Sequence, residues 1–166
     1  MLLLYLLLVN IMNKKNMLFI YIVFILILDQ ISKYFVYLYK PNIILIKKVL
    51  SITYAKNNGI AFSMLSENRF FIILISFVLI SLFLYIIYKD MKKDNNKFKL
   101  ILYAILLGGI LGNLLDRLIR GYVIDFISIK IFTYYFPVFN LADICITVGV
   151  ILLIIYMLFI EKENKA

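Results

Sequence analysis

At 166 residues, 65% of them hydrophobic and with a mean hydropathy of +1.03, the chain is far more apolar than a soluble domain, where about 45–50% is usual. A single soluble core of this length cannot hide that excess, so it must face lipid. The formal net charge of +9 does not make a nucleic-acid binder, because the Lys and Arg lie between apolar runs and not on one basic face.

The absence of His excludes Ser-His-Asp and Cys-His catalysis, histidine bases and His-ligated zinc. The single Cys, Cys145, permits neither an internal disulfide nor a thiolate metal cluster. Any chemistry must therefore rest on carboxylates, Lys, Arg, hydroxyls, amides or backbone groups, and no metal or cofactor is expected.

Residues 1–11 form an apolar stretch of about 16 Å as a helix, too short to span and followed by Asn13-Lys14-Lys15-Asn16. It lacks the basic leader and small-residue cleavage site of a signal peptide. It reads as an extension from an upstream mis-start, leaving residues 12–166 as a single membrane-embedded domain.

Four apolar runs follow, over residues 17–39, 70–88, 100–115 and 144–160, and each predicts a transmembrane helix. The second covers about 28 Å, close to a hydrocarbon core of about 30 Å. The third and fourth reach only about 24 and 25 Å, so they must draw Asp116, Arg117 and Asp143 into the membrane edge. The uncharged start of the first run, residues 17–28, covers about 18 Å, which brings Asp29 and Lys33 into the slab or to its edge. With the N-terminus inside, the cations divide equally between the two sides and do not orient the chain. The five Lys packed between Lys89 and Lys99 do, placing that loop and both termini in the cytoplasm.

Two longer connections then lie outside. In residues 40–69, Val49-Leu50-Ser51-Ile52-Thr53-Tyr54 alternates β-branched and aromatic side chains ahead of the turn signal Asn57-Asn58-Gly59, which predicts a small extracytoplasmic β element between the first and second helices. Residues 120–140 contain Val123-Ile124-Asp125-Phe126-Ile127 and then Pro137. The predicted fold is an all-α membrane protein of four transmembrane helices with that one β element, without an internal repeat.

Asp90, Asp94, Glu161 and Glu163 fall on the cytoplasmic side, balanced by Lys and solvated. Asp29, Glu67, Asp116, Asp125 and Asp143 fall outside, joined there by Gln30, Lys33, Asn57, Asn113, Arg117 and Asn140. Ionisable groups in apolar sequence are expensive and mark function. Each also has a purely structural account. Asp29 and Lys33 have the spacing and order of a helix ion pair. Asn57-Asn58-Gly59 suits a hairpin turn, Gly108 and Gly112 a close helix contact, and Asn140 with Asp143 a helix cap. Asn113 and Arg117 share one helix face. Asp125 is harder to explain in this way: it sits between Ile124 and Phe126 with no nearby Lys partner before Lys130, and an apolar neighbourhood raises a carboxyl pKa.

Two carboxyls in such a setting permit the chemistry of aspartic proteases, in which a pair of Asp shares one proton: the ionised member activates water while the other polarises the peptide carbonyl. Asp125 and Asp143 are 18 residues apart, so the chain between them must fold back onto the start of the fourth helix.

Five blocks occur in order: Asp29-Gln30-Ile31-Ser32-Lys33, Asn57-Asn58-Gly59-Ile60-Ala61-Phe62-Ser63, Gly109-Ile110-Leu111-Gly112-Asn113-Leu114-Leu115-Asp116-Arg117-Leu118, Gly121-Tyr122-Val123-Ile124-Asp125-Phe126-Ile127 and Phe139-Asn140-Leu141-Ala142-Asp143. They resemble the signature motifs of the lipoprotein signal peptidase (signal peptidase II) family. The resemblance runs over residues 17–160, with Ile60 standing where the family usually has Ala. It implies an aspartic endopeptidase of the bacterial inner membrane, with its site near the outer face, that cleaves diacylglyceryl-modified prolipoproteins just before the lipidated Cys. It implies Asp125 and Asp143 as the catalytic pair, Asn57, Gly59, Asn113, Arg117 and Asn140 as substrate-binding or site-shaping residues, and Asp29 and Lys33 as their support. The partners expected are lipid-modified prolipoproteins and membrane lipids, with no nucleic acid and a monomeric enzyme. The rival reading is a small ion- or proton-coupled transporter or scaffold using the outer Asp residues.

Overall fold

A computed structural model describes residues 14–59, 68–93 and 96–160; residues 1–11, Ile60, Glu67, Asp94, Glu161 and Glu163 lie outside them. The four apolar runs form α1 (Lys14–Tyr39), α2 (Arg69–Lys93), α3 (Lys97–Ile119) and α4 (Leu141–Ile155), the last continuing as one π turn, Tyr156–Ile160. All four helices are long and apolar enough to cross a membrane. They recruit the polar residues that the short runs require: Asp29 and Lys33 lie in α1, Asp116 and Arg117 in α3, and Asp143 in the first turn of α4.

The centre of the bundle is α3, whose apolar window is 67% buried against 17% for each of the other helices. Its small residues explain why. A Cβ on Gly108 would lie 2.7 Å from the Ile25 side chain of α1, and one on Gly109 2.6 Å from the Ala142 carbonyl of α4. The close-packing face expected from Gly108 and Gly112 is present, and Gly109 extends it to α4, so α3 touches both neighbours backbone to backbone. Leu102, Tyr103, Leu106 and Leu107 of α3 then bury Met17, Leu153 and Tyr156. On α2, Phe77, Val78 and Leu82 are exposed, as lipid-facing side chains are.

At one end of the bundle lies an antiparallel sheet in the order β1 (Asn42–Ile46), β2 (Leu50–Asn57), β3 (Val123–Ile131), β4 (Tyr134–Tyr135). The expectation of a β element confined to the connection between the first two helices is corrected, because half of the sheet comes from the connection between α3 and α4. An isolated hairpin is marginal in stability, and pairing β2 with β3 (Ser51 opposite Ser128, Ala55 opposite Asp125) relieves that. The β1–β2 hairpin turns at residues 47–49, where Lys48 has φ of 64°. It does not turn at Asn57-Asn58-Gly59, which begins at the last residue of β2.

Beyond β4 the chain returns to β3. The Phe139 carbonyl accepts from the N–H groups of Phe126 (2.9 Å) and Ile127 (2.7 Å), and the Phe139 N–H donates to the Ile127 carbonyl (3.1 Å). This is the fold-back that the spacing of Asp125 and Asp143 demands, and it sets Asn140, the first residue before α4, beside β3.

Candidate active site

The innermost layer is a charge-paired cluster. Lys33 Nζ lies 2.8 Å from Asp29 Oδ2 and 2.9 Å from Asp116 Oδ2, with all three side chains fully buried. Asp29 Oδ1 accepts from the Ala142 N–H (3.0 Å). Asp116 Oδ1 is bound by the Arg120 guanidinium, and Gln30 bridges the two carboxylates while accepting from Arg120 (3.1 Å). The Asp29–Lys33 helix pair is thus present, as one arm of a larger group. Gly112 belongs to it by omission, since a Cβ there would lie 2.5 Å from the Asp29 carboxylate.

Lys33 also donates to Asn113 Oδ1 (2.9 Å). An ammonium has only donors to offer, so this contact fixes which way the Asn113 amide points: its NH2 faces Asp143 Oδ1, at 2.7 Å. The Asn140 NH2 donates to Asn113 Oδ1 (3.2 Å) and to Asp125 Oδ1 (2.6 Å). Asn140 also caps α4 with a reciprocal pair: its Oδ1 accepts from the Asp143 N–H (3.0 Å), and its own N–H donates to Asp143 Oδ2 (3.1 Å). The capping reading of these two residues is correct, and the cap is also what aims the Asp143 carboxyl.

Asn57 completes the set by donating to Asp125 Oδ2 (2.9 Å). Its Oδ1 accepts from the Gly59 N–H (3.0 Å), a local turn that orients the amide. The Gly59 carbonyl accepts from Arg117 (2.6 Å), which also donates to the Asn113 carbonyl (3.2 Å). Each of the four oxygens of Asp125 and Asp143 therefore receives a side-chain amide or backbone N–H, and among the described residues neither carboxyl is in an ion pair.

Asp125 is buried to 2% exposure, while Asp143 is half-buried. Burial is the largest influence on the Asp125 carboxyl and lifts it from the usual carboxylate range to about 6. The Asn57 hydrogen bond opposes the rise, the Asp143 charge adds to it, and the Asn140 hydrogen bond and Lys33 charge oppose it. Across both layers four carboxylates (Asp29, Asp116, Asp125, Asp143) face three cations (Lys33, Arg117, Arg120), so one added proton makes the cluster neutral. A cluster screened from water favours that state.

All nine residues singled out in the sequence are brought to this end of the bundle. Sequence reading did not assign roles to Asp116, Gln30 and Arg120, although the i,i+4 spacing of Asp116 and Arg120 was a usable signal. Arg69 was missed as well: it donates to the carbonyls of Arg117 (2.5 Å) and Leu118 (3.3 Å) at the end of α3, a long-range contact that local pattern cannot reveal. At the opposite end, Asp90 is not a solvated loop residue. Its side chain is 22% exposed, paired with Lys99 (2.9 Å), and accepts from the Tyr103 hydroxyl (2.9 Å). Cys145 is a half-buried free thiol in α4.

Comparison with known proteins agrees with the motifs. A family model described as Signal peptidase (SPase) II matches residues 21–159. A lipoprotein signal peptidase of Staphylococcus carnosus is 38% identical over 144 residues, which is 85% of this chain and 89% of that protein. One from Staphylococcus aureus (strain JH9) is 38% identical over 146 residues, 86% and 88% of the two chains. A bacterial membrane enzyme solved by the in meso method at 2.3 Å resolution superposes with a TM-score of 0.79 at 36% identity, over 91% of this chain and 92% of that one.

Proposed function

The chain belongs to the signal peptidase II family, and from that premise we propose that it is an aspartic endopeptidase that cleaves diacylglyceryl-modified prolipoproteins just before the lipidated Cys. Asp125 and Asp143 are its catalytic pair. The observation that carries this reading is a pair of carboxyls oriented by neutral donors: Asn57 and Asn140 on Asp125, Asn113 and the α4 cap on Asp143. Such donors fix position without supplying a cation that would strip the proton. Two carboxyls sharing one proton are what peptide hydrolysis without metal or thiol requires.

The roles follow from the two environments. Asp125, the more buried and lifted to about 6, holds the proton and donates it toward the carbonyl oxygen of the scissile bond. Asp143, half-buried, serves as the base and takes a proton from the attacking water. As the tetrahedral gem-diol collapses, the C–N bond breaks, the proton gained by Asp143 passes to the leaving amine, and a hydroxyl of the intermediate returns its proton to Asp125 as the product carboxyl forms, so the pair again holds one proton. Asn57, Gly59, Asn113, Arg117 and Asn140 position the pair and the substrate backbone, and Asp29 and Lys33 support them from below.

We place the sheet and the site at the outer face, with both termini in the cytoplasm, because the Lys89 to Lys99 cluster lies at the other end of the bundle. We also propose that the enzyme acts as a monomer, since one chain suffices to donate to all four oxygens of the pair. Family membership over most of the chain leaves the transporter and scaffold readings without support. The test is purified enzyme in detergent with a prolipoprotein in diacylglyceryl-modified and unmodified forms, followed by mass spectrometry. Cleavage before the Cys, only in the modified form, is expected. Cleavage elsewhere, or equal cleavage of both forms, would refute the assignment.

A further inference from the structure

The end of the bundle away from the sheet carries a cavity that peptide cleavage does not use. Its volume is about 250 Å³, and it lies between the last turns of α2 and the neighbouring α3 and α4 ends, with Tyr85, Lys89, Asp90, Lys93, Lys99 and Met157 on its walls. At about 30 Å³ per water, this holds roughly eight waters, enough for a phosphate with a small polar substituent.

The charge on its walls is unbalanced. Asp90 is answered by Lys99 at 2.9 Å, which among the described residues on the walls leaves Lys89 and Lys93 as surplus positive charge. They are spaced i,i+4 on α2, where like charges repel. Lys89 does not reach outward from the helix end: its Nζ lies 4.8 Å from the centre of the Tyr85 ring, one turn back toward the apolar middle of the span. That contact keeps the ammonium beside the cavity instead of beyond the helix end. Tyr85 and Met157 on the same walls are half-exposed, an apolar surface that acyl chains can cover. The cavity thus combines surplus cations with apolar wall at the end of a membrane-crossing helix, a combination that an anionic phospholipid matches.

We infer that this cavity binds the phosphate of an anionic phospholipid, with Lys89 and Lys93 on the phosphate and the acyl chains lying along α2 and α4. The inference does not depend on the roles of Asp125 and Asp143.

The test is native mass spectrometry of the full-length enzyme titrated with phosphatidylglycerol, with phosphatidylcholine and with water-soluble glycerol phosphate. Phosphatidylglycerol should form a one-to-one adduct that phosphatidylcholine and glycerol phosphate do not. The Lys89→Gln/Lys93→Gln double variant should weaken that adduct by about ten-fold or more, two lysines near an anionic lipid surface each contributing on the order of 1 kcal/mol. Lys47→Gln/Lys48→Gln, with the same loss of charge in the sheet turn, should leave it intact. Prolipoprotein cleavage in lipid-free detergent reports that the Lys89/Lys93 variant is folded. Equal binding of phosphatidylcholine, retention of the adduct in the Lys89/Lys93 variant, or an equal loss in the Lys47/Lys48 variant would overturn the site. Binding of glycerol phosphate as tight as that of the lipid would make it a free-phosphate site and would also overturn the lipid assignment.

Discussion

The site end of the bundle contains two pairs of carboxylates, and their surroundings could hardly differ more. Asp29 and Asp116 share the Lys33 ammonium, with Arg120 on the outer side of Asp116. Asp125 and Asp143 receive only amides and backbone N–H groups. A cation at hydrogen-bond distance holds a carboxyl ionised, whereas a neutral donor positions it and leaves its proton negotiable. Residue type is the same in both pairs, so partner type is what distinguishes the proposed catalytic pair from the structural one. Asn113 joins the two layers: its carbonyl takes the Lys33 proton donor, and its NH2 is thereby turned to Asp143.

The largest effect that follows is on turnover. Asp125→Asn and Asp143→Asn should each lower the rate of prolipoprotein cleavage by about 10²–10⁴-fold, the usual contribution of a positioned acid or base, while the proteins remain inserted and folded by circular dichroism. Near-normal rates in either variant would erase the distinction between the pairs.

The inner pair should respond in the opposite way, through stability. Lys33→Met leaves buried Asp29 without a cation and Asp116 with Arg120 alone, which should cost about 3–5 kcal/mol, read as a lowered unfolding midpoint in detergent. Asp125→Asn should not lower it comparably at neutral pH. The Asp125 carboxyl is raised from 3.8 to about 6, so the folded protein binds this proton more tightly than the unfolded chain does. Stability present below pH 4 is lost as pH rises to about 6, by up to about 3 kcal/mol. The asparagine variant removes that loss, and its stability relative to wild type should therefore rise across this window. An unchanged difference from pH 4 to 7 would contradict the environment assigned to Asp125.

A finer effect concerns the amides. Asn57 favours the ionised form of Asp125, so Asn57→Ala should push that pKa further up. The alkaline limb of the cleavage profile should move to higher pH, with the maximal rate falling about 10- to 100-fold, the worth of a hydrogen bond to a charged group. A limb that moves to lower pH would show that Asn57 stabilises the protonated carboxyl instead. The smallest effect expected is none: strong chelators and thiol-blocking reagents should leave the rate within about two-fold, because the chemistry assigned here uses neither a metal nor Cys145. A loss restored by a divalent cation would turn the outer pair into metal ligands.

Much of this was legible in the chain. Hydropathy alone predicts the four spans, and run length alone draws Asp29, Asp116 and Asp143 into them. The Asn140–Asp143 cap and the Asp29–Lys33 pair follow from local spacing, because both are interactions within a single helix. The joining of β2 to β3 was not legible, since register between strands more than 60 residues apart is set by tertiary packing and not by pattern. For the same reason the turn signal at Asn57-Asn58-Gly59 misleads: the same residues that favour a hairpin also favour the local turn that here orients Asn57 toward Asp125. The Asp116–Arg120 spacing was readable, but nothing in it shows that Lys33 lies between Asp116 and Asp29.

The account rests most heavily on one proton, the one held by Asp125. Infrared difference spectroscopy of the purified enzyme across pH 5 to 7 measures it, since only a protonated carboxyl has the free C=O stretch. One such band should titrate near 6, persist in Asp90→Asn and vanish in Asp125→Asn. A titrating band that survives in Asp125→Asn, or the absence of any band between pH 5 and 7, would contradict the assignment.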